Sequence, residues 1–167
     1  MVKLYYNLRD LDFDQLMQIY EEGTRENGRD NYPRLALAEQ ILAAQQDFYA
    51  FLQAFFRNPQ AFYAVLEIDG VYRAALRMEP FMDGMLLEAL ETKPVDRRKG
   101  YAKELIKTVL TQLHNSQHTK VYSHIHKKNT ASIAVHTACG FENVLPYARY
   151  IDGSVLQNSY TFLRILE

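Results

Sequence analysis

The stretch Arg97-Arg98-Lys99-Gly100-Tyr101-Ala102, together with the apolar pattern that continues from it, decides the fold prediction. From Ala102 onward, apolar residues recur every three or four positions, which predicts an amphipathic helix; they are Ala102, Leu105, Ile106, Val109, Leu110 and Leu113. The basic turn therefore lies at a helix N-terminus, where unpaired N–H groups and the helix dipole attract anions. A β-rich segment, 85–92, precedes it. This order predicts a phosphate-binding turn, with an ordinary exposed basic loop as the alternative.

The composition predicts one folded domain over residues 1–167. Of these residues, 48% are hydrophobic and 13% aromatic, which argues against disorder. Cys139 is the single cysteine, so no internal disulfide can form, as in proteins of a reducing compartment. No apolar run reaches membrane-spanning length, and the first residues are too polar for a signal peptide. We therefore expect a cytoplasmic protein without membrane association.

The charge is distributed unevenly along the chain. Residues 1–92 carry eight Lys/Arg and fifteen Asp/Glu, whereas residues 93–128 carry nine Lys/Arg and only two acidic residues. A basic segment beside an acidic remainder predicts an anionic ligand on one side and a cationic one on the other. The alternative is that much of this charge is solvated surface.

Outward from the turn, the chain predicts a mixed α/β domain and no regular βαβ array. Polar residues and glycines at 23–33 predict a loop, and Asp69-Gly70 between apolar runs predicts a hairpin. The predicted strands are 2–6, 62–68, 71–78, 85–92, 120–126 and two final strands flanking Asp152-Gly153. The predicted helices begin at Asp10 or Asp12, at Leu35, at Ala102 and at Asn129.

Two motifs, taken together, resemble those of the GNAT superfamily of acetyl-CoA-dependent N-acetyltransferases. The first is Arg/Gln-x-x-Gly-x-Gly/Ala after the fourth strand, matched by Arg97 to Ala102. The second is an Asn opening the next helix, then Ser and Gly-Phe, matched by Asn129, Ser132 and Gly140-Phe141. The resemblance covers nearly the whole chain. It implies a single-domain GNAT-like fold: a mostly antiparallel sheet of six to seven strands, with strands four and five splayed, flanked by about four helices.

The resemblance implies acetyl-CoA as co-substrate and assigns residues to its two polar regions. The pyrophosphate would lie against the turn, where Gly100 lets the backbone approach closely; its residues are Arg97, Arg98, Lys99, Gly100, Tyr101 and Ala102. The pantetheine arm would contact the fourth strand at Leu90, Glu91 and Thr92, and the next helix at Asn129 and Ser132. Lys127 and Lys128 are candidates for the 3′-phosphate. Asn129 is also a good helix N-cap, and the two roles are compatible.

At the position where many family members carry the general acid, this chain departs from the family pattern. Many members have a tyrosine seven residues after the motif Asn, whereas this chain has His136. An imidazole can donate a proton near neutral pH, so we predict His136 as a catalytic acid, with a packed helix residue as the alternative. Tyr147, Tyr150 and Tyr160 are substitute candidates.

The general base is predicted to be Glu88. The position at which some relatives carry a glutamate is Leu86, and Glu88 and Glu91 lie nearby. Strict alternation along the strand would place these two carboxylates on opposite faces, with Glu88 on the face of Leu90 and Thr92. The alternatives are an exposed surface carboxylate, or proton transfer through water.

No metal site is expected. His124 and His126 alternate along one strand and could pair, but no Cys or carboxylate partner accompanies them. Cys139 lacks an activating constellation and is expected to be a small buried residue.

The predicted reaction is direct attack of a primary amine on acetyl-CoA in a ternary complex. The resemblance places the acceptor, a small molecule or peptide, near 24–34 and 147–153, and the acidic excess predicts that it is cationic. The alternative is a non-catalytic acyl-CoA sensor or regulatory domain. A nucleic-acid-binding module is disfavoured, because the remainder of the chain would repel phosphates. A homodimer is consistent with the family's habit.

Overall fold

The computed structural model describes residues 1–166, which form nine strands, five α-helices and two short 3-10 turns. The strands are β1 (Val2–Tyr5), β2 (Phe62–Ile68), β3 (Val71–Phe81), β4 (Gly84–Thr92), β5 (Lys120–His126), β6 (Glu142–Leu145), β7 (Ala148–Arg149), β8 (Val155–Leu156) and β9 (Ser159–Ile165). The helices are α1 (Phe13–Ile19), α2 (Glu21–Asn31), α3 (Leu37–Phe55), α4 (Tyr101–Asn115) and α5 (Thr130–Ala138).

Seven strands form one sheet in the order β1-β2-β3-β4-β5-β9-β6, and β7 and β8 form a small second sheet. All neighbours in the main sheet are antiparallel except β4 and β5. The parallel pairing joins only Met85–Leu87 to Val121–Ser123, and beyond these residues the two strands separate. The predicted fold class, including the splay of strands four and five, is confirmed.

The helices cover the two faces of the sheet. On the α4 face, Leu105, Ile106 and Val109 are fully buried against strand residues such as Leu76 and Leu87. On the α3 face, residues of α1 and α3, among them Leu16 and Leu52, pack against Tyr63 and Val65 of β2. Each such leucine contributes about 2 kcal/mol of hydrophobic stabilisation. The apolar spacing predicted for α4 is therefore the spacing of its buried face.

The predicted loop at 23–33 is wrong over residues 23–31, because these residues belong to α2. The two glycines that suggested a loop lie inside the helix. A Cβ at Gly28 would lie 2.6 Å from the carbonyl oxygen of Gln40 in α3, so this glycine permits close packing of the two helices. Tertiary packing has overridden the low helix propensity of glycine.

The C-terminal prediction is incomplete. Asp152-Gly153 is flanked by the short strands β7 and β8, whereas the longer strands β6 and β9 lie outside this hairpin and belong to the main sheet. Asp12 is confirmed as the N-cap of α1, since its side chain accepts a hydrogen bond from the Gln15 N–H. Within residues 1–166, no helix combines the length and apolar character needed to cross a membrane.

Candidate active site

A β-bulge in β4 opens the gap between β4 and β5. Ala75 of β3 pairs with Glu91 and Arg77 pairs with Glu88, so two residues of β4, Ala89 and Leu90, lie opposite one residue of β3. Ala89 has a φ of 50°, in the left-handed region that alanine rarely adopts. Bulges bend a strand and increase its twist. The bulge therefore directs the end of β4 away from β5.

The bulge also changes which face each β4 side chain occupies. Leu87 and Leu90 both pack on the α4 face. Glu88 and Glu91 both lie on the α3 face, since their β3 partners Arg77 and Ala75 do. The prediction that Glu88 shares a face with Leu90 and Thr92, and opposes Glu91, is wrong. Strict alternation does not hold across a two-for-one bulge.

One cavity of about 460 Å³ collects most of the predicted cofactor-binding residues. Its walls come from the end of β4, the turn before α4, and the start of α5. The lining residues are Leu90, Glu91, Thr92, Arg97, Arg98, Ala102, Asn129, Ala131, Ser132 and Val135. A larger surface cavity of about 680 Å³ lies elsewhere, near Asn7 and Arg57, and contains neither sequence motif.

The turn before α4 has the backbone shape of an anion-binding nest. Arg98 and Gly100 both have left-handed backbone conformations, with φ of 64° and 84°. Gly100 is the N-cap of α4, so the first N–H groups of the helix meet no capping side chain. A Cβ at Gly100 would meet nothing within 4 Å. The space in front of the helix N-terminus is therefore open, and its N–H groups can receive an anion.

Asp96, a residue that the sequence reasoning missed, fastens this turn. Its carboxylate is buried and accepts hydrogen bonds from Lys99 at 2.6 Å and Arg73 at 2.9 Å. These hydrogen bonds hold the pKa of Asp96 below its usual range, and the one from Lys99 has the largest effect. An acidic residue inside the basic segment was the signal that could have identified it. Lys99 is thus committed to Asp96, and Tyr101 packs beside the core instead of lining the cavity.

The other two basic residues of the turn differ in their partners. Arg97 donates a hydrogen bond of 2.6 Å to Glu22 of α2, and Glu91 lies 3.8 Å away. Arg98 is exposed, lines the cavity and makes no ion pair within residues 1–166. Its positive charge is therefore directly available to a bound anion.

Asn129 caps α5 while lining the same cavity. Its Oδ1 accepts a hydrogen bond of 3.0 Å from the Ser132 N–H. The predicted N-cap role is confirmed, and this hydrogen bond fixes the orientation of the amide at the cavity wall. Lys127 lies over the ring of Tyr160, with its Nζ 5.1 Å from the ring centroid, and Lys128 is exposed.

A second, narrower cavity of about 180 Å³ continues the cleft between β4 and β5. It brings the two predicted catalytic residues, Glu88 and His136, into the walls of one space, together with Leu90, His124, Asn129 and Ser132 among others. Glu88 accepts a hydrogen bond of 3.1 Å from Arg77, whose guanidinium lies 4.6 Å from the ring centroid of Phe51. The first cavity and this inner cavity are adjacent, since Leu90 and Asn129 line both.

His136 is almost fully buried, and both of its ring nitrogens are within hydrogen-bond distance of protein atoms. Nδ1 lies 2.8 Å from the Ser132 carbonyl oxygen, and Nε2 lies 3.1 Å from the Ser123 hydroxyl. A carbonyl only accepts, so Nδ1 carries the proton and Nε2 accepts from the hydroxyl. Burial lowers the pKa of His136, although the Ser132 carbonyl opposes this. The imidazole is therefore neutral at pH 7.

The three substitute tyrosines occupy different places. Tyr160 packs against the core of the α4 face, and the Tyr147 carbonyl accepts a hydrogen bond from Thr161. Tyr150 lies beside His124, with ring centroids 4.9 Å apart. Tyr150 therefore contacts a side chain that lines the inner cavity.

The sequence reasoning also missed a polar group of residues on the α3 face. Arg77 and Glu79 interrupt the apolar β3, which was the available signal. Burial, followed by the neighbouring Glu88, raises the pKa of Glu79 to about 7. A raised pKa next to Glu88, which lines the inner cavity, is typical of functional sites.

Cys139 is buried, and burial raises the pKa of its thiol, as expected for a packing residue. Over the described residues 1–166, no three His, Cys, Asp or Glu side chains are arranged to hold a metal ion.

Solved structures with the same fold are acetyltransferases of low sequence identity. The PaiA N-acetyltransferase from Thermoplasma acidophilum, solved with coenzyme A, is 12% identical, with 99% of each chain covered and a TM-score of 0.67. An acetyltransferase from Thermus thermophilus is 15% identical, with 99% of this chain and 97% of that chain covered and a TM-score of 0.70. The ribosomal-protein-S18-alanine N-acetyltransferase from Escherichia coli is 14% identical, with 100% and 95% covered and a TM-score of 0.65.

At these identities the structural likeness establishes the fold. A search of curated protein sequences finds no significant match. A model of the acetyltransferase (GNAT) family, in contrast, matches residues 13–141, which include the glycine turn and the motif around Asn129. This match spans more than half of the sequence, and the chain belongs to the GNAT family of acetyltransferases.

Proposed function

We propose that this protein transfers an acetyl group from acetyl-CoA to a primary amine of a small molecule or peptide, by direct attack in a ternary complex. The observation that carries the proposal is the convergence of three features on one cavity. These are the left-handed turn at Gly100, the unpaired end of β4, and the capped Asn129 of α5. A diphosphate, an extended amide chain and a thioester each find a matching group there.

The residues in the cavity fit coenzyme A in order along the cleft. The N–H groups from Arg98 to Ala102 would bind the pyrophosphate, with positive charge from Arg97 and Arg98, and Lys99 holding the turn through Asp96. The backbone of Leu90, Glu91 and Thr92 is not paired with β5, so the pantetheine amides can complete its hydrogen bonds. Asn129 and Ser132 would contact the arm from the other wall.

The inner cavity would hold the thioester and the reacting amine. The amine attacks the carbonyl carbon, a backbone N–H near the bulge stabilises the oxyanion, and the C–S bond breaks. Glu88 remains our candidate for the amine side, and its ion pair with Arg77 fixes its carboxylate there. His136 remains our candidate for the acid on the thiol side, since it lies at the cavity wall. To act as an acid it must first gain a proton at Nε2, the nitrogen that accepts from the Ser123 hydroxyl.

We propose a cationic acceptor, bound between α2 and the β7–β8 hairpin on the α3 face. Glu79, Glu88 and Glu91 all lie on this face of the sheet, with Arg77 as the neighbouring positive charge. Two relatives of the same fold are an aminoglycoside 6′-acetyltransferase and a spermidine N-acetyltransferase chimera, whose names denote polycationic substrates. The acceptor class is tested by measuring turnover with amines that differ only in charge, and a preference for neutral amines would contradict it.

A non-catalytic acyl-CoA sensor is the second candidate. The observation that favours it is that Glu88 is ion-paired and both nitrogens of His136 are hydrogen-bonded within the chain. Acetyl-CoA binding without turnover on any amine would support the sensor over the enzyme.

We further propose that residues 1–167 act as one N-acetyltransferase domain in the cytoplasm, as a homodimer. The single cysteine suits a reducing compartment, and the exposed edge strand β6 offers a surface for pairing. Light scattering measures the oligomeric state, and a monomer at micromolar concentration would contradict the dimer.

The deciding experiment is calorimetric titration of acetyl-CoA into the wild type and Gly100→Asp. The substitution adds a carboxylate in front of the helix N-terminus, so we expect binding to weaken by about a hundredfold or more. Gly70→Asp is the matched control, because Gly70 also has a left-handed backbone (φ 75°) and open space around its Cβ position, but lies in the β2–β3 turn. Equal affinity for wild type and Gly100→Asp would overturn the proposal.

A further inference from the structure

His124 of β5 has buried ring nitrogens without hydrogen-bond partners. Both Nδ1 and Nε2 are shielded from solvent, and neither contacts a donor or acceptor within residues 1–166. Buried polar atoms are normally paired, so such a group in a native structure requires an explanation. A residue kept for packing alone would be better replaced by an apolar ring. The partner of these nitrogens is therefore to be sought outside the chain.

The position of His124 indicates what that partner is. The side chain lies on the α3 face and lines the inner cavity together with Glu88 and Leu90. Its ring packs edge-on against Phe81, with centroids 5.4 Å apart, and against Tyr150 at 4.9 Å. Phe81 and Tyr150 thus hold the imidazole at the point where the acceptor side of the cleft meets the unpaired end of β4.

We propose that His124 is a further catalytic residue, which accepts the proton released by the acceptor amine, while Glu88 stabilises the resulting imidazolium. This inference rests on the proposed acetyltransferase function. In this arrangement Glu88, held by Arg77 at 3.1 Å, acts on the amine side through His124 instead of taking the proton itself. It also gives the two unpartnered nitrogens distinct uses: one accepts the proton from the amine, and the other donates its hydrogen to a group of the bound substrates.

The proposed step conserves atoms and charge. The lone pair of the amine nitrogen forms the C–N bond, one N–H proton moves to a neutral nitrogen of His124, and the C–S bond breaks with its electrons remaining on sulfur. The thiolate takes up a proton that comes ultimately from solvent, and the imidazolium later returns its proton to solvent, so the net proton count is unchanged. Burial lowers the pKa of His124, whereas Glu88 raises it, so the ring is neutral at pH 7 and still able to gain a proton. The charged group that acts on the ring is Glu88 of β4, which is itself ion-paired with Arg77 of β3, and Tyr150 is the titratable group packed against the ring.

Two variants of the whole chain, residues 1–167, test the proposal. His124→Gln keeps a polar group but removes the titrating nitrogen, and His124→Phe preserves the aromatic packing and removes the unpaired polar atoms. We expect each to lower kcat by about a hundredfold or more, with the Kd for acetyl-CoA unchanged within about twofold. We also expect His124→Phe to melt at the same or a higher temperature than the wild type. His114→Gln, at the exposed end of α4, is the matched histidine control.

The pH profile of kcat/KM separates this role from a structural one. The wild type should lose activity as pH falls through the pKa of His124, and both variants should lack that limb. Wild-type activity in His124→Phe would overturn the proposal, as would an unchanged pH profile in His124→Gln. Loss of activity in Glu88→Gln with an active His124→Gln would assign the proton to Glu88 directly.

A readout that needs no turnover is the NMR signal of the His124 ring in the complex with free coenzyme A, which carries no acetyl group to transfer. Butylamine serves as the probe, and we expect a saturable shift of the His124 signals while those of His114 stay constant. Unshifted His124 signals would overturn the proposal. Failure of acetyl-CoA to bind would instead contradict the proposed function, so the two failures are distinguishable.

Discussion

The hydroxyl of Tyr20 donates a hydrogen bond of 2.6 Å to the carbonyl oxygen of Ala89, the left-handed residue of the β4 bulge. Tyr20 lies at the junction of α1 and α2, so a residue between these helices fixes the backbone at the opening of the cleft. Burial keeps the pKa of Tyr20 well above its usual range, and the hydroxyl stays a donor across the working pH range.

Removing the Tyr20 hydroxyl tests whether its hydrogen bond to Ala89 fixes the bulge. Tyr20→Phe leaves the Ala89 carbonyl without its donor, so we expect a loss of about 1 kcal/mol in the free energy of unfolding and of about 2–4 °C in Tm. Under the proposed function the bulge positions the N–H that stabilises the oxyanion, so kcat should fall while the Kd for acetyl-CoA changes little. Tyr32→Phe is the control, since Tyr32 donates to Asp47 in an exposed pair. Equal kcat in wild type and Tyr20→Phe would show that this contact has no bearing on turnover.

Asp96→Asn tests the anchor of the glycine turn. The substitution weakens a buried carboxylate that holds Arg73 and Lys99, so we expect a loss of about 2–3 kcal/mol at pH 7. The lowered pKa of Asp96 stabilises the fold above the unfolded pKa of about 3.9, and this stabilisation disappears as pH falls through the folded value. Thermal melts from pH 7 to pH 3 should therefore show the wild type approaching the variant at low pH. A constant difference in Tm would contradict the ion-pair explanation.

The effect of Glu79 on the stability of the fold has the opposite dependence on pH. Its pKa is raised to about 7, so its ionisation destabilises the folded state as pH rises from the unfolded pKa towards 7. Glu79→Gln should be more stable than the wild type at pH 8, by about 1–2 kcal/mol after allowing for the half-buried position, and equally stable near pH 4. A cationic acceptor should release a proton from Glu79 on binding. Calorimetry in buffers of different ionisation enthalpy measures that release, and its persistence in Glu79→Gln would assign the proton to another group.

The two glycines of α2 form a matched pair. Gly28→Ala places a Cβ 2.6 Å from the Gln40 carbonyl oxygen, and we expect a loss of about 1–3 kcal/mol from the forced separation of α2 and α3. Gly23→Ala meets nothing within 4 Å and should gain about 0.5–1 kcal/mol from helix propensity. Urea denaturation measures both. Similar effects of the two substitutions would show that helix propensity, and not packing, governs this position.

The sequence predicted the parts of this molecule that depend on local chemistry. The apolar spacing of α4, the hairpin at Asp69-Gly70 and the Asn129 cap need only short-range information. The α2 helix escaped prediction because Gly28 is explained only by Gln40, a residue of another helix.

In the candidate site, the residues proposed to bind the acetyl donor could be predicted from the sequence. The residues proposed to meet the acceptor amine could not. The glycine turn is a contiguous motif, whereas the bulge at Ala89 leaves no signature in the sequence and reverses the face of every later side chain in β4. Glu88 and Glu91 therefore had to be assigned from strand pairing. His124 and Tyr150 meet only through folding, since they come from separate strands and loops.

The alternation of side chains in β5 has a consequence for how substitutions can change the acceptor amine of this protein. Ser123 projects to the α4 face, where it contacts His136, and His124 projects to the α3 face, where it contacts Phe81 and Tyr150. Two consecutive residues of β5 thus lie on opposite faces of the sheet, one on the α4 face and one on the α3 face. Under the proposed function, substitutions on the α3 face that leave Glu88, Glu91 and His124 in place can retarget the protein to a new amine while the machinery for the thioester is inherited intact.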